Sequence, residues 1–371
     1  MKTYSPLETY IRELIARTGP MPVSRYMNLS LTHPEYGYYV TRDPLGRQGD
    51  FITAPEVSQM FGELIGLWAA SVWNAMGTPT KVQLIELGPG RGTMMADALR
   101  ALRILPAFRD AIEVHLVEVS PSLRAIQRDT LADENVQWHD RLEDIPPGPA
   151  IILANEYFDV LPVHQAVRTE TGWHERLIDV DDDIFVFTIA KEPMPRFEVL
   201  LPPHVRAAPK GAIFEWRAAT EIMALARRVR DHGGAALIID YGHIRSNAGD
   251  TFQAVTKHNF TNPLKLPGTS DITAHVDFQA LAQAAEGIGA RVHGPVEQGT
   301  FLNRLGIDTR AQALIKHSNA QTAGEIAGAL KRLAGSGHKG MGSLFKVLGI
   351  SHPAITELAG LSDHPVNMVA L

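Results

Sequence analysis

The chain has 371 residues, 45% of them apolar and 20% charged, with a formal net charge of -6. This is the balance of a folded globular protein with room for about two domains; it excludes a disordered chain and leaves no general attraction for phosphate backbones, so nucleic acid is not an expected partner. The lack of cysteine excludes disulfides, thiolate metal sites, iron–sulfur ligation and a thiol nucleophile, and it fits a reducing cytoplasm.

The opening residues, Met1 to Tyr10, carry Glu8 and no continuous apolar run, unlike a secretory signal or transit peptide, and no stretch of about 18 apolar residues is available to span a membrane. Leu7, Ile11, Leu14 and Ile15 form one stripe, which predicts a helix over 7–17 that Pro20 and Pro22 interrupt. An irregular stretch is expected next, with turn formers and aromatics mixed over His33 to Tyr39 and Gly49 to Glu56 as in ordered loops. Met60, Phe61, Leu64, Ile65, Trp68 and Val72 restore helical spacing over 58–76.

From Val82 the pattern changes to short apolar runs separated by helical stretches. Strands are expected over 82–87, 113–119, 135–138, 150–155 and 235–240, which together read as an α/β core with a mainly parallel sheet and helices on both faces. Between the fourth and fifth, alternating runs over 163–168, 173–180 and 184–189 read as an inserted antiparallel arm, suited to gripping a substrate or a second copy of the chain in a homodimer. Asp181-Asp182-Asp183 within it reads as a solvated turn, since consecutive side chains on an extended chain point opposite ways. A helix is expected over 215–231, a long loop-rich insertion over 245–280 and a helical section over 305–335. The segmentation is then 1–80 as an N-terminal helix and loop segment, 81–162 as the first part of the core, 163–204 as the arm and 205–371 as the rest of the core.

The chemistry concentrates at strand ends. Glu86-Leu87-Gly88-Pro89-Gly90-Arg91-Gly92 closes the first strand, and glycines there let a cofactor approach the backbone where side chains would collide. The third glycine comes one residue too early for the phosphate-binding pattern of NAD enzymes, and no Gly-Lys-Ser/Thr follows to hold a triphosphate. Glu86, Gly88, Gly90 and Gly92 instead suit a cofactor with an amino group and no pyrophosphate, namely S-adenosyl-L-methionine, with Glu86 toward its cationic methionine end. Glu118, after the second strand, is placed to accept the ribose hydroxyls, and Asp140, after the third, the adenine amine, because open α/β sheets bind ligands along that edge. The fourth strand ends in Asn155-Glu156-Tyr157-Phe158-Asp159. Asn155 is a candidate to border the cofactor, and Glu156 and Asp159 to position a nucleophile; the alternative is a helix N-terminus with carboxylates favoured by its dipole. His33, His258 and His275 lack paired metal-ligand spacing and read as loop hydrogen-bonding groups, so no metal is expected.

Taken together, Tyr36 to Tyr39, Asp50 to Gly62, Glu86 to Thr93, Asn155 to Pro162, Asp240 to Gly242, Asp271 to Phe278, Phe301 to Ile307 and Met341 to Leu348 resemble the MidA-like methyltransferases, relatives of the mitochondrial complex I assembly-factor arginine methyltransferase. The resemblance covers nearly the whole chain. It implies a class I, Rossmann-like methyltransferase fold and symmetric dimethylation of a protein arginine in the 49-kDa-type subunit of respiratory complex I or its bacterial homologue. The bacterial proteins would act in the cytoplasm and the eukaryotic ones in the mitochondrial matrix. An arginine acceptor calls for carboxylates to orient its persistently charged guanidinium. Glu156 and Asp159 are assigned that task, with Asp50, Thr53, Glu56, His275 and Asp277 as candidates on the substrate side. Two other readings share the core: a methyltransferase for a small molecule, and an assembly chaperone that uses the cofactor structurally.

Overall fold

A computed structural model describes residues 4–41, 53–256, 259–337 and 340–362. The chain divides into two compact units, one of Met1–Phe51, Asp159–Ala218 and Arg245–Asp277, the other of Ile52–Phe158, Ala219–Ile244 and Phe278–Leu371.

The second unit holds the sheet expected from Val82 onward. Its strands are β1 (Val82–Leu87), β2 (Ile112–Val117), β3 (Val136–His139), β4 (Ala150–Asn155), β5 (Gly234–His243), β6 (Arg291–Glu297) and β7 (Phe345–Ser351). They lie side by side in the order β3-β2-β1-β4-β5-β7-β6. From β3 to β5 each neighbouring pair is parallel, while β7 runs antiparallel to both β5 and β6. Every residue of β1, and Ala150 to Ala154 of β4, is buried, which is why these strands read as unbroken apolar runs rather than alternations. The chain leaves β1 outward to β2 and β3 and then returns to β4 on the other side. The carboxyl ends of β1 and β4 therefore flank the point where an open sheet reverses its winding, the place where such folds bind ligands.

Helices α1 (Gln59–Ala75), α2 (Thr93–Ala101), α3 (Pro121–Thr130), α4 (Thr220–His232), α5 (Phe278–Gly287), α6 (Ile307–Lys316) and α7 (Ala320–Ala334) are the longer helices of this unit. Phe61, Leu64, Ile65 and Trp68 of α1 join Leu84, Leu116, Ile151 and Leu237 in one core. At Gly66 of α1 an added Cβ would come within 2.9 Å of Ala98 Cα, so α1 lies hard against α2 and fixes the helix that follows the glycine loop.

The first unit carries its own core, with Leu7, Ile11, Tyr26, Met27 and Ile178 among its buried members. The three expected arm runs form Val163–Arg168, Trp173–Asp181 and Ile184–Ile189 in antiparallel pairing. Asp182 and Asp183 turn the second hairpin with φ of 42° and 63°, a left-handed pair that aspartate tolerates better than most residues.

Four expectations need correction. Pro20 and Pro22 interrupt the helical pattern only briefly: Met21–Pro22 pairs with Leu177 and Ile178, and Val23–Thr32 is helical at once, because proline is tolerated at a helix start. The helix expected over 215–231 begins only at Thr220, as α4; its expected first turn, 215–217, belongs to a strand, Ile213–Arg217, which extends the arm sheet by pairing with Val163–Arg168. The loop-rich 245–280 contains a small antiparallel sheet of Gln253–Thr256, Asn259–Thr261 and Asp271–Thr273. Finally, β6 and β7 lie outside the expected strands. Gly294-Pro295 interrupts β6 where its register shifts between His293 and Val296, so its short halves give no strand signal.

Candidate functional site

The glycine loop is a sequence of left-handed turns at the end of β1. Gly88, Gly90 and Gly92 have φ of 60°, 55° and 81°, values that side chains with a Cβ resist. Gly88 N–H donates to Val117 O at 3.0 Å, continuing the β1–β2 ladder one step past the strand, and Gly92 N–H closes on Pro89 O at 2.8 Å before α2 begins. An added Cβ on Gly88 would stand 3.0 Å from Cδ2 of Tyr157, so the loop is also sterically pinned from the β4 side.

Two residues before Gly88, Glu86 is 3% exposed and its Oε2 has no hydrogen-bond partner. Burial pushes its carboxyl up to about 8. A buried carboxylate costs free energy unless a positive group or donors meet it, so this residue fits a ligand that brings a cation to the loop.

Glu118 follows β2 and is held from two sides. Its Oε1 accepts Ser120 N–H at 2.8 Å and its Oε2 accepts Gln127 Nε2 at 3.3 Å. Burial raises its carboxyl, opposed by these hydrogen bonds. Gln127 also donates to Gly90 O at 2.8 Å and accepts Trp138 Nε1–H at 2.9 Å. The sequence reading passed over Gln127. Its signal is a polar residue in the buried stripe Leu123, Gln127 and Leu131, all at most 3% exposed, where helical spacing calls for an apolar one. Asp140 is exposed and ion-paired with Arg124 at 2.6 Å.

The end of β4 is shaped by Glu156, a non-glycine residue with φ of 50°. Such a conformation costs roughly 1–3 kcal/mol and persists where its surroundings over-determine it. Here Glu156 N–H donates to Ile239 O at 2.8 Å, while its Oε1 accepts Ala54 N–H at 3.1 Å and Asn155 Nδ2 at 3.2 Å. Ala54 opens the short helix Ala54–Val57, whose N-cap position, Thr53, makes no side-chain cap bond; the Glu156 carboxylate takes one of the helix's unpaired N–H groups instead. Glu56 of the same turn accepts Thr93 Oγ1 at 2.5 Å. Thr53, Glu56, Asn155 and Glu156 are thus gathered beside the glycine loop within the second unit. Asn155 Oδ1 is buried without a partner.

Asp159, His275 and Asp277 belong to the first unit. Asp159 is 4% exposed, and its carbonyl accepts Ala274 N–H at 3.2 Å and Arg217 Nη2 at 3.1 Å. His275 N–H donates to Thr251 Oγ1 at 2.8 Å, and its carbonyl accepts Arg217 Nη1 at 2.8 Å. Arg217 further donates to Leu161 O and Ala274 O, so one guanidinium ties together 159–161 and 274–275. No pattern in the sequence announces that role. Nearby in this unit, Tyr39 Oη donates to Asp271 Oδ1 at 2.9 Å. His33 Nδ1 accepts Glu35 N–H at 3.2 Å, a loop contact of the expected kind. Asp50 and His258 lie outside the described residues. Among the described residues no cluster of histidines and carboxylates is arranged to hold a metal ion, and no helix is long and apolar enough to cross a membrane.

Comparison with known proteins bears directly on this corner. Residues 64–296 match the family model described as "Putative S-adenosyl-L-methionine-dependent methyltransferase". The Drosophila melanogaster protein arginine methyltransferase NDUFAF7 homolog, mitochondrial, is 38% identical over 397 aligned positions, covering 98% of this chain and 88% of that protein. Human protein arginine methyltransferase NDUFAF7, mitochondrial, is 40% identical over 346 positions, covering 85% of this chain and 76% of its own. A crystal structure from Burkholderia thailandensis bound to S-adenosyl-homocysteine superposes with a TM-score of 0.86 at 30% identity, over 100% of both chains. The resemblance read from the motifs, the class I α/β fold and the S-adenosyl-L-methionine cofactor all stand on these matches.

Proposed function

Because the chain belongs to this family of S-adenosyl-L-methionine-dependent methyltransferases, we propose that it transfers the methyl group to an arginine side chain of a protein. The acceptor in this reading is the bacterial counterpart of the 49-kDa-type subunit of respiratory complex I, dimethylated symmetrically in the cytoplasm, with the enzyme working as a homodimer.

The observation that carries the reading is Glu156. A carboxylate held in a costly left-handed conformation, with Oε1 fixed by Ala54 N–H and Asn155 Nδ2, is a preorganised partner for a cation at the winding reversal of the sheet. A guanidinium stays protonated near neutral pH and is a poor nucleophile until its charge is drawn toward one side. Glu156 accepts guanidinium N–H groups and leaves the remaining nitrogen the most electron-rich. Thr53 and Glu56, in the same unit as Glu156, shape the acceptor's approach.

On the cofactor side, Gly88, Gly90 and Gly92 give backbone room, Glu86 meets the methionine ammonium, Glu118 takes the ribose hydroxyls, Asp140 faces the adenine and Asn155 borders the methyl-bearing end. The sulfonium supplies an already activated methyl group. As the methyl's bond to sulfur breaks and its bond to nitrogen forms, the guanidinium gives up one proton, which leaves by way of the Glu156 carboxylate to water; the rest of the protein's task is alignment, worth roughly 7–11 kcal/mol in favourable cases. Mass spectrometry of complex I from a deletion strain tests the acceptor: loss of a dimethylarginine from the 49-kDa-type subunit is expected, and an unchanged arginine methylation pattern overturns the assignment.

A further inference from the structure

We infer that Gln127 is a positioning residue of the cofactor site, whose carboxamide locks the Glu118 carboxylate and the Gly90 carbonyl into one preformed surface for the ribose. This rests on the reading of Glu118 as the ribose acceptor. Three observations lead to it. The side chain is fully buried on α3, yet its partners are not core groups: they are the carbonyl of the glycine loop after β1, the carboxylate after β2 and the indole of Trp138 on β3. An apolar residue would pack the same stripe, as Leu123 and Leu131 do on either side, without the desolvation cost of an amide.

The amide can adopt one orientation only. Nε2 has two hydrogens, and both are spent, on Gly90 O at 2.8 Å and Glu118 Oε2 at 3.3 Å. Oε1 receives the indole N–H of Trp138 at 2.9 Å. Exchanging the two ends would set an oxygen against two acceptors and an NH2 against a donor. The indole thus fixes the amide, and the amide fixes the carboxylate.

With Oε1 of Glu118 bound to Ser120 N–H and Oε2 to Gln127 Nε2, both carboxylate oxygens are held in place by protein donors, and a carboxylate oxygen can accept more than one. A carboxylate clamped in this way meets a pair of vicinal hydroxyls without first losing rotamer freedom, which is how preorganisation raises affinity. Loss of the clamp should therefore be felt through the hydroxyls.

The test is calorimetric titration of the full chain with S-adenosyl-homocysteine and with its 2′,3′-dideoxy analogue. The wild type is expected to favour the hydroxylated ligand. Gln127→Met, which keeps the length and removes the donors, is expected to reduce that preference by about 10-fold or more, the effect of losing a hydrogen bond to a charged group. Turnover at saturating S-adenosyl-L-methionine should stay within about 3-fold, since the reacting groups lie at β4. Gln127→Leu also removes the donors and packs as Leu123 and Leu131 do, and should repeat the result if the methionine variant does not fold. An unchanged preference in the folded variant, or equal weakening toward both ligands, overturns the inference and leaves Gln127 a packing residue. Glu118→Gln in the same titration separates the two layers. If it erases the preference while Gln127→Met and Gln127→Leu do not, only the inference fails; if it changes nothing, the ribose reading fails and the inference with it.

Discussion

The strand-end corner of the second unit and the junction around Arg217 in the first hold their polar groups by opposite means. At the corner, short segments carry the work: left-handed glycines at 88, 90 and 92, a left-handed Glu156, and carboxylates placed by the register of β1, β2 and β4. At the junction, one long side chain spans segments far apart in sequence, donating to the carbonyls of Asp159, Leu161, Ala274 and His275. The first arrangement leaves an unmet need, since Glu86 Oε2 has no partner; in the second, the guanidinium of Arg217 is met by backbone carbonyls. A polar group that the fold itself satisfies contributes to stability, and a buried carboxylate left without a donor at a strand end suits a cationic ligand.

That contrast predicts different phenotypes for single substitutions. The largest effect is expected from Glu156→Gln: turnover should fall by about 1,000-fold, within the range of a lost catalytic carboxylate, while calorimetry shows S-adenosyl-homocysteine affinity within about 3-fold of wild type. Unchanged turnover would move the acceptor carboxylate elsewhere, and a parallel loss of affinity would make Glu156 a cofactor residue. Arg217→Met should act in the reverse sense. Three carbonyls lose the Arg217 donor and a fourth, that of Asp159, keeps only Ala274 N–H of its two, so denaturant unfolding should report a loss of about 3 kcal/mol, with cofactor affinity preserved. A stability change below about 0.5 kcal/mol would show the junction to be replaceable by water.

The smallest effect concerns protons at Glu86. Burial holds its folded-state carboxyl at about 8, above the ordinary carboxylate value, so between roughly pH 5 and 8 the unfolded chain is ionised there while the folded chain binds the proton. The stability from this group is present at acid pH and is lost as pH rises through that window, and Glu86→Gln should flatten the decline. A cofactor ammonium favours the ionised form, so binding near pH 7 should release about one proton, read as a dependence of the calorimetric enthalpy on buffer ionisation. Equal proton release by wild type and Glu86→Gln would place the cationic end elsewhere.

The same contrast explains what could be read in advance. β1 and β4 were legible because parallel interior strands are continuous apolar runs with glycine or polar residues at their ends, and the candidates Glu86, Gly88, Glu118 and Glu156 follow from where those runs stop. Glutamine on a helix ordinarily faces water, so Gln127 looked unremarkable until its burial in a leucine stripe was seen. Arg217 acts on backbone carbonyls, which every residue has, so no residue type at its partners betrays it. Residues 215–217 read as the start of α4 because the short strand Ile213–Arg217 offers too brief an alternation, and its partner strand lies 50 residues upstream, where Gln165 pairs with Glu215. Asp159 stands three residues from Glu156 in sequence, but the chain passes from one unit to the other between them.

The central claim is that the glycine corner after β1 receives the cofactor, and calorimetric titration with S-adenosyl-homocysteine of the wild type and of Gly90→Val tests it most directly. A β-branched residue does not adopt the φ of 55° found at Gly90, so the variant should bind at least about 100-fold more weakly while circular dichroism shows the fold retained. No binding by the wild type, or equal binding by the two proteins, would contradict the account.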